Sequence, residues 1–223
     1  MKQVRVVLGR FQPFTLGHLK LATYDKCEHK DCNDLKTVIF VVSTPKEKVD
    51  TRHPFSDDVM KKEFDLIKKN YKDKIEDIIY IKSADIVKWG AELVKRDMQA
   101  KVWITGTDEL AFYQKMAANV DSYQERYPEC KGAYADDFYV QEVKRNDTSD
   151  DFVSTISGTK VRQALKDDDK QLFAKMMPKG AEQYFDEFKN AVLNAPEPKK
   201  KTSKRKVKEG MMSLRNYIFE HLS

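Results

Sequence analysis

The stretch "VRVVLGRFQPFTLGH", residues 4–18, decides how this chain is read. Val4–Leu8 is a short β-branched apolar run, the pattern of a strand buried on both faces. Two glycines, a proline, an arginine and a histidine follow at once. Then "LGHLKLATYDKC" places Leu16, Leu19 and Thr23 on one helical stripe. The segment is therefore strand, loop, helix. Gly9 lets the backbone turn tightly as the strand ends. Gly17 lets a ligand approach the main chain where the helix begins, and the free N–H groups and positive dipole there favour phosphate. Thr15 and His18 add hydrogen-bond donors at the same place, and Arg10 adds fixed charge.

The alternation continues along the chain. Apolar runs recur at Thr37–Val42, Asp77–Ile81, Lys101–Ile104 and Phe138–Val143, separated by segments of helical period. One of these, "DDVMKKEFDLIKKN", aligns Val59, Met60, Phe64 and Ile67. Strands alternating with helices predict an α/β fold with a doubly wound, mostly parallel sheet, in which ligands bind at the carboxyl ends of the strands. A second phosphate-type segment, "STISGTKVRQAL" (residues 154–165), sets hydroxyls and a glycine before a helical run carrying Lys160 and Arg162. Ser157 or Thr159 can cap that helix, and its first N–H groups then face an anion. The sequence holds neither GxxxxGK[ST] nor GxGxxG, which sets aside the commoner nucleotide loops.

Composition narrows the class. The 223 residues carry a net charge of +5, but residues 194–223 hold eight Lys/Arg against three Glu. Residues 1–193 therefore balance at 33 basic and 33 acidic side chains, so the body is no basic nucleic-acid platform. Apolar runs long enough for a membrane span are lacking, and the first residues read as no signal peptide. The three cysteines, Cys27, Cys32 and Cys130, suggest no disulfide framework, and a reducing, cytoplasmic location is expected. "CEHKDC" (residues 27–32) raises zinc, but a closed site needs four ligands, so the segment reads as a solvated turn after a helix.

"PKGAEQYFDEFKNAVL" (residues 178–193) reads as the last helix of a domain spanning residues 1–193, with Pro178 near its start. The Pro- and Lys-rich residues 194–210 read as a flexible basic linker. Residues 211–223, "MMSLRNYIFEHLS", recover an amphipathic period at Met211, Leu214, Ile218 and Leu222. A helix this short needs a surface, so a protein partner or self-association is expected there.

"GRFQPFTLGH" resembles the [H/T]xGH signature of the nucleotidylyltransferase superfamily, and "ISGTKVR" resembles its ISSTxxR-type motif, in the same order and at a similar separation. Within the superfamily the chain is most similar to the archaeal-type nicotinamide mononucleotide adenylyltransferases, whose first motif typically reads GRFQPFHxGH. The likeness runs over roughly residues 4–190. It includes "HPFSDDVMKKEF", "MMPKGAEQYFDEF", the strand-end "WITGTDE", and "IYIKSADIVKWGAELV" around Trp89. The first histidine of the motif is Thr15 here, as in the similar phosphopantetheine adenylyltransferases. The loop around Trp89 is shortened, and "CEHKDC" has no counterpart in the family.

The resemblance implies a Rossmann-like nucleotidylyltransferase fold, to which the composition adds the C-terminal linker and short helix; a homo-oligomer is expected. It implies ATP and a small phosphorylated acceptor as substrates, with Mg²⁺ on the phosphates. Catalysis would fall to His18, Thr15 and Arg162. Gly9, Arg10, Phe11, Gly17, His18, Ser157, Thr159 and Arg162 would hold the nucleotide, and Trp89 the nicotinamide ring. The alternatives are CTP as donor, pantetheine phosphate or a flavin nucleotide as acceptor, and a nucleotide-binding adaptor without turnover.

Overall fold

A computed structural model describes residues 1–83, 85–144 and 151–198. Five strands, β1 (Lys2–Gly9), β2 (Thr37–Val42), β3 (Ile75–Ile81), β4 (Met98–Gly106) and β5 (Tyr134–Val143), form one sheet in the order β3-β2-β1-β4-β5. Every neighbouring pair is parallel. The strand order reverses beside β1, so the crevice outside the ends of β1 and β4 is where this doubly wound fold takes ligands.

Side-chain alternation along the strands divides the core in two. Val7, Ile39, Val41, Val102 and Ile104 face one side. There they meet α1 (Leu16–Ala22), α2 (Asp57–Asn70), α7 (Gly158–Lys166), α8 (Lys170–Met176) and α9 (Phe185–Leu193). Val4, Val6, Val38, Phe40 and Trp103 face the other, against α3 (Ile86–Val94), α4 (Leu110–Ala117) and α5 (Val120–Arg126). The short α6 (Asp151–Ser154) lies beside α1.

The strands run longer than their apolar signals. β5 begins at Tyr134, four residues before the apolar run: Tyr134 pairs with Ala100, the register then shifts across the exposed Asp136 and Asp137, and regular pairing resumes at Tyr139 with Val102. β2 matches its apolar run at both ends, being central and buried.

The cysteine reading is corrected. After α1 the chain folds back through a single 3₁₀ turn, Lys30–Cys32, which brings the Cα atoms of Cys27 and Cys32 to 6.2 Å, and the two sulfurs are bonded. Both cysteines are buried in the first core cluster while Glu28, His29 and Lys30 between them are exposed, so the turn is solvated but its two ends are anchored in the core. Asn33 Oδ1 accepts the Cys27 N–H at 2.9 Å, and Gln141 Oε1 on β5 accepts that of Glu28 at 2.8 Å. The argument from unpaired cysteines to a reducing compartment does not hold for this pair. Cys130 is free and buried.

No helix among the described residues is long and apolar enough to cross a membrane. Of the linker expected at 194–210, residues 194–198 are described, and the Pro196 carbonyl accepts the N–H of Thr51 at 3.0 Å. The rest of that linker and the amphipathic stretch 211–223 lie outside the described residues.

Trp89 also falls elsewhere than the resemblance implied. It is 1% exposed in the core beneath α3, its ring edge-on to Trp103 at 4.4 Å and near Phe40 at 6.1 Å. An indole this enclosed packs against its two aromatic neighbours. Trp89→Ala should cost about 3–5 kcal/mol of stability in urea unfolding, and Trp89→Phe far less. An unchanged unfolding midpoint with a raised KM for a nicotinamide substrate would return the residue to the binding site.

Candidate active site

The loop between β1 and α1 is shaped by aromatic packing. Phe11 sits at φ 49°, a conformation unusual for a side chain of its size. Its ring lies where a Cβ on Gly9 would stand, 2.5 Å from the nearest ring carbon. Only glycine fits there, because the ring must fold back over the strand end. Phe11 then packs edge-on against Phe14 at 5.2 Å and against the His18 ring at 5.0 Å. Phe64 of α2 closes the cluster from below, 5.5 Å from Phe14.

Thr15 caps α1, and the cap also sets the state of His18. The Thr15 N–H donates to His18 Nδ1 at 3.0 Å, with Thr15 Oγ1 3.2 Å from the same nitrogen. An accepting Nδ1 puts the ring proton on Nε2, so the neutral ring has one N–H donor. Burial lowers the His18 pKa to about 4, with the Pro13 carbonyl opposing, so the ring is neutral at pH 7. Gly17 is in ordinary van der Waals surroundings, its nearest neighbour Thr15 Oγ1 at 3.5 Å from an added Cβ. Arg10 is partly buried at the start of the loop.

The two motifs, about 150 residues apart in sequence, meet at Gln12. Arg162 Nη1 donates to the Gln12 carbonyl at 2.6 Å, and Arg162 Nη2 donates to Thr159 Oγ1 at 3.1 Å. A Cβ on Gly158 would stand 2.8 Å from that carbonyl oxygen, so the first turn of α7 approaches the loop as closely as glycine allows. Ser157 caps α7, its Oγ accepting the Lys160 N–H at 3.2 Å. Thr15, His18, Ser157, Thr159 and Arg162 are therefore on adjoining elements at the end of β1. Trp89 is not among them.

Three contributors were not singled out from sequence. Gln12 is buried, and its amide grips the backbone of Phe55 in both directions: Nε2 donates to the Phe55 carbonyl at 2.8 Å, and Oε1 accepts the Phe55 N–H at 2.9 Å. Glu63 of α2 is fully buried under the loop, its Oε2 accepting the Phe14 N–H at 3.3 Å and its Oε1 without a partner. Desolvation raises its pKa well above the usual carboxyl value, with the Phe14 N–H opposing, which favours the protonated form. Helical period held the clue, since Met60, Glu63, Phe64 and Ile67 follow i, i+3, i+4, i+7 and only one of them is acidic. His53, before "PF", feels the charges of Arg10 and Arg162.

This arrangement, two phosphate-type loops joined at the switch point of a parallel sheet with a neutral histidine donor between aromatic rings, defines a nucleotide-handling α/β protein. Residues 6–164 match the family model described as cytidylyltransferase-like, and the chain belongs to that family and so to the nucleotidylyltransferase enzymes. Among solved structures it is similar to the nicotinic acid mononucleotide adenylyltransferase of Plasmodium falciparum, in complexes with NaAD and with APC. Each complex shows 14% identity and a TM-score of 0.54, covering 87% of this chain and 99% of that chain. A bifunctional NMN adenylyltransferase/ADP ribose pyrophosphatase from Francisella tularensis, complexed with AMP and a Mn ion, is similar at 17% identity. Its TM-score is 0.43, over 86% of this chain and 52% of that chain. At such identities the likeness to solved structures is one of fold. No curated protein matches the chain.

The two buried titrating groups should oppose each other in stability. His18, with its folded pKa lowered, contributes stability that grows as pH rises from about 4 to the unfolded value near 6.5. Glu63, with its folded pKa raised, gives stability present below about 4.3 and lost as pH rises above it. Glu63→Gln should therefore flatten the alkaline decline of the unfolding midpoint between pH 5 and 8. An unaltered decline would show that Glu63 is ionised in the fold.

Proposed function

We propose that the chain catalyses nucleotidyl transfer from a nucleoside triphosphate to a small phosphorylated acceptor, with ATP as donor and nicotinamide mononucleotide as acceptor, giving NAD and pyrophosphate. The observation that carries the reading is the union of the two motifs through Arg162 and Gln12 beside a neutral, singly donating His18. A phosphate oxygen of the acceptor attacks the α-phosphorus, the bond to the bridging oxygen breaks, and pyrophosphate leaves with that electron pair. Such a transfer needs positioning and neutralisation of charge more than covalent chemistry from the protein. His18 Nε2–H donates to the α-phosphate oxygen where charge develops, and Thr15 holds the ring on its other side. Ser157, Thr159 and Arg162 with the first turn of α7 hold the departing phosphates, and Arg10 adds charge.

Among the described residues no group of three or more His, Cys, Asp or Glu could cage a metal ion. Mg²⁺ would accordingly arrive on the triphosphate, as is usual for this ion, and neutralise phosphate charge there. The specificity for nicotinamide mononucleotide rests on the motif resemblance. The family description keeps CTP in view as donor.

Pyrophosphate release should be measured with ATP and CTP across nicotinamide mononucleotide, nicotinic acid mononucleotide, pantetheine phosphate and flavin mononucleotide. Turnover with ATP and nicotinamide mononucleotide is expected; turnover only with another acceptor moves the substrate and spares the reaction class. His18→Ala should lower kcat about 10²–10³-fold with little loss of ATP affinity, as for removal of one transition-state donor. Near-normal turnover would take His18 off the catalytic list.

We also propose residues 1–193 as the catalytic domain, working as a homo-oligomer in the cytoplasm, and the segment beyond as a tether to a protein partner. Because Pro196 bonds to Thr51, the informative truncation follows Pro198. It should leave kcat and KM unchanged; lost activity would place the tail in the working site or in an obligatory subunit contact.

A further inference from the structure

We propose that His53 is a proton-linked phosphate ligand: its ring, held on the Nδ1 side by Asp50, takes up a proton when a phosphate-bearing substrate binds and donates to that phosphate from Nε2. The inference rests on the nucleotidyl-transfer reading and adds a residue that neither signature motif contains.

The turn carrying His53 is fixed on several sides. Asp50 and His53 exchange backbone hydrogen bonds, at 3.0 and 3.3 Å. Asp50 Oδ1 accepts the N–H groups of Arg52 and His53 at 2.9 and 2.8 Å, and it stands 3.5 Å from His53 Nδ1. Thr51 is tied behind the turn to Pro196. Two residues further on, Phe55 is gripped by Gln12, whose carbonyl takes Arg162. One hydrogen-bonded chain thus runs from the second motif through the first to the neighbourhood of His53. The ring is only partly exposed.

The charged groups around the ring are Arg10 from the β1–α1 loop, Arg162 from α7, and Asp50 and Arg52 from its own turn. Desolvation is the largest influence and lowers the pKa of His53. Arg10, Arg162 and Arg52 lower it further, and Asp50 alone works the other way. The field of three guanidinium charges acts on one imidazole whose ion-pair partner is Asp50, at 3.5 Å, and Arg52 shares that carboxylate at 4.0 Å. A phosphate placed among Arg10, Arg162 and His53 would reverse the sign of the field and favour the imidazolium. The proton comes from solvent, so binding strengthens as pH falls through the bound-state pKa.

The test uses the full-length protein. The His53 ring resonance is titrated by NMR alone, with inorganic pyrophosphate, and with nicotinamide mononucleotide. A rise of about one pKa unit or more with pyrophosphate supports the proposal and assigns the contact to the donor phosphates. A rise with the mononucleotide alone supports it and assigns the contact to the acceptor. His53→Gln should raise the KM of the substrate concerned about ten-fold at pH 6 and less than about two-fold at pH 8.5, with kcat held. An unmoved resonance in a protein that binds ATP or CTP overturns this proposal and leaves nucleotidyl transfer standing. Failure to bind either nucleotide overturns both.

Discussion

One amide side chain holds the candidate site together. Gln12 pairs with the backbone of Phe55 as a neighbouring strand would, donating and accepting at once, and its own carbonyl takes the guanidinium of Arg162. The loop after β1, the loop before α2 and the start of α7 meet there. Each is irregular backbone that would otherwise need water or a ligand for its polar groups. Because the amide is buried, its loss leaves the N–H and carbonyl of Phe55 unpaired in a dry setting, which costs more than two average hydrogen bonds contribute. The neighbouring glycines follow from this closeness. Gly158 admits the Gln12 carbonyl, and Gly9 admits the ring of Phe11.

Around that junction charge is sorted by depth. Two groups that ionise readily in water lie at this depth, His18 beside the rings of Phe11 and Phe14 and Glu63 under the same loop, and burial disfavours the charged form of each. Arg10 and Arg162, both only partly buried, act electrostatically on the partly exposed His53. The depth arrangement suits a polyanionic ligand. The arginines can meet formal charge, while His18 offers a directed dipole where solvent competes little.

The parallel sheet was legible because its periodicity is a property of every central strand, and β2 could be read to the residue. That Thr15, His18, Ser157, Thr159 and Arg162 lie on adjoining elements was legible because their spacing repeats a known pattern. Gln12, Glu63 and His53 carry no such spacing; their roles come from contacts made across 43 residues, for Gln12 and Phe55, and 49, for Phe14 and Glu63. The placement of Trp89 in the core depends on tertiary contact in the same way. A tryptophan on an amphipathic segment is marked by its neighbours as helical, but the sheet face that receives it depends on tertiary packing against Trp103 and Phe40. The bond between Cys27 and Cys32 likewise depends on the turn between them, which local composition does not specify.

The threonine at position 15, where the similar archaeal-type enzymes carry histidine, looks at first like a defect in the machinery. The geometry removes that concern for the tautomer of His18. Nδ1 of the ring is held by the backbone N–H of Thr15, a donor that any residue other than proline supplies. The side chain at this position can therefore vary while the proton stays on Nε2. Threonine adds what histidine does less well, a short oxygen-bearing side chain at the N-cap of α1.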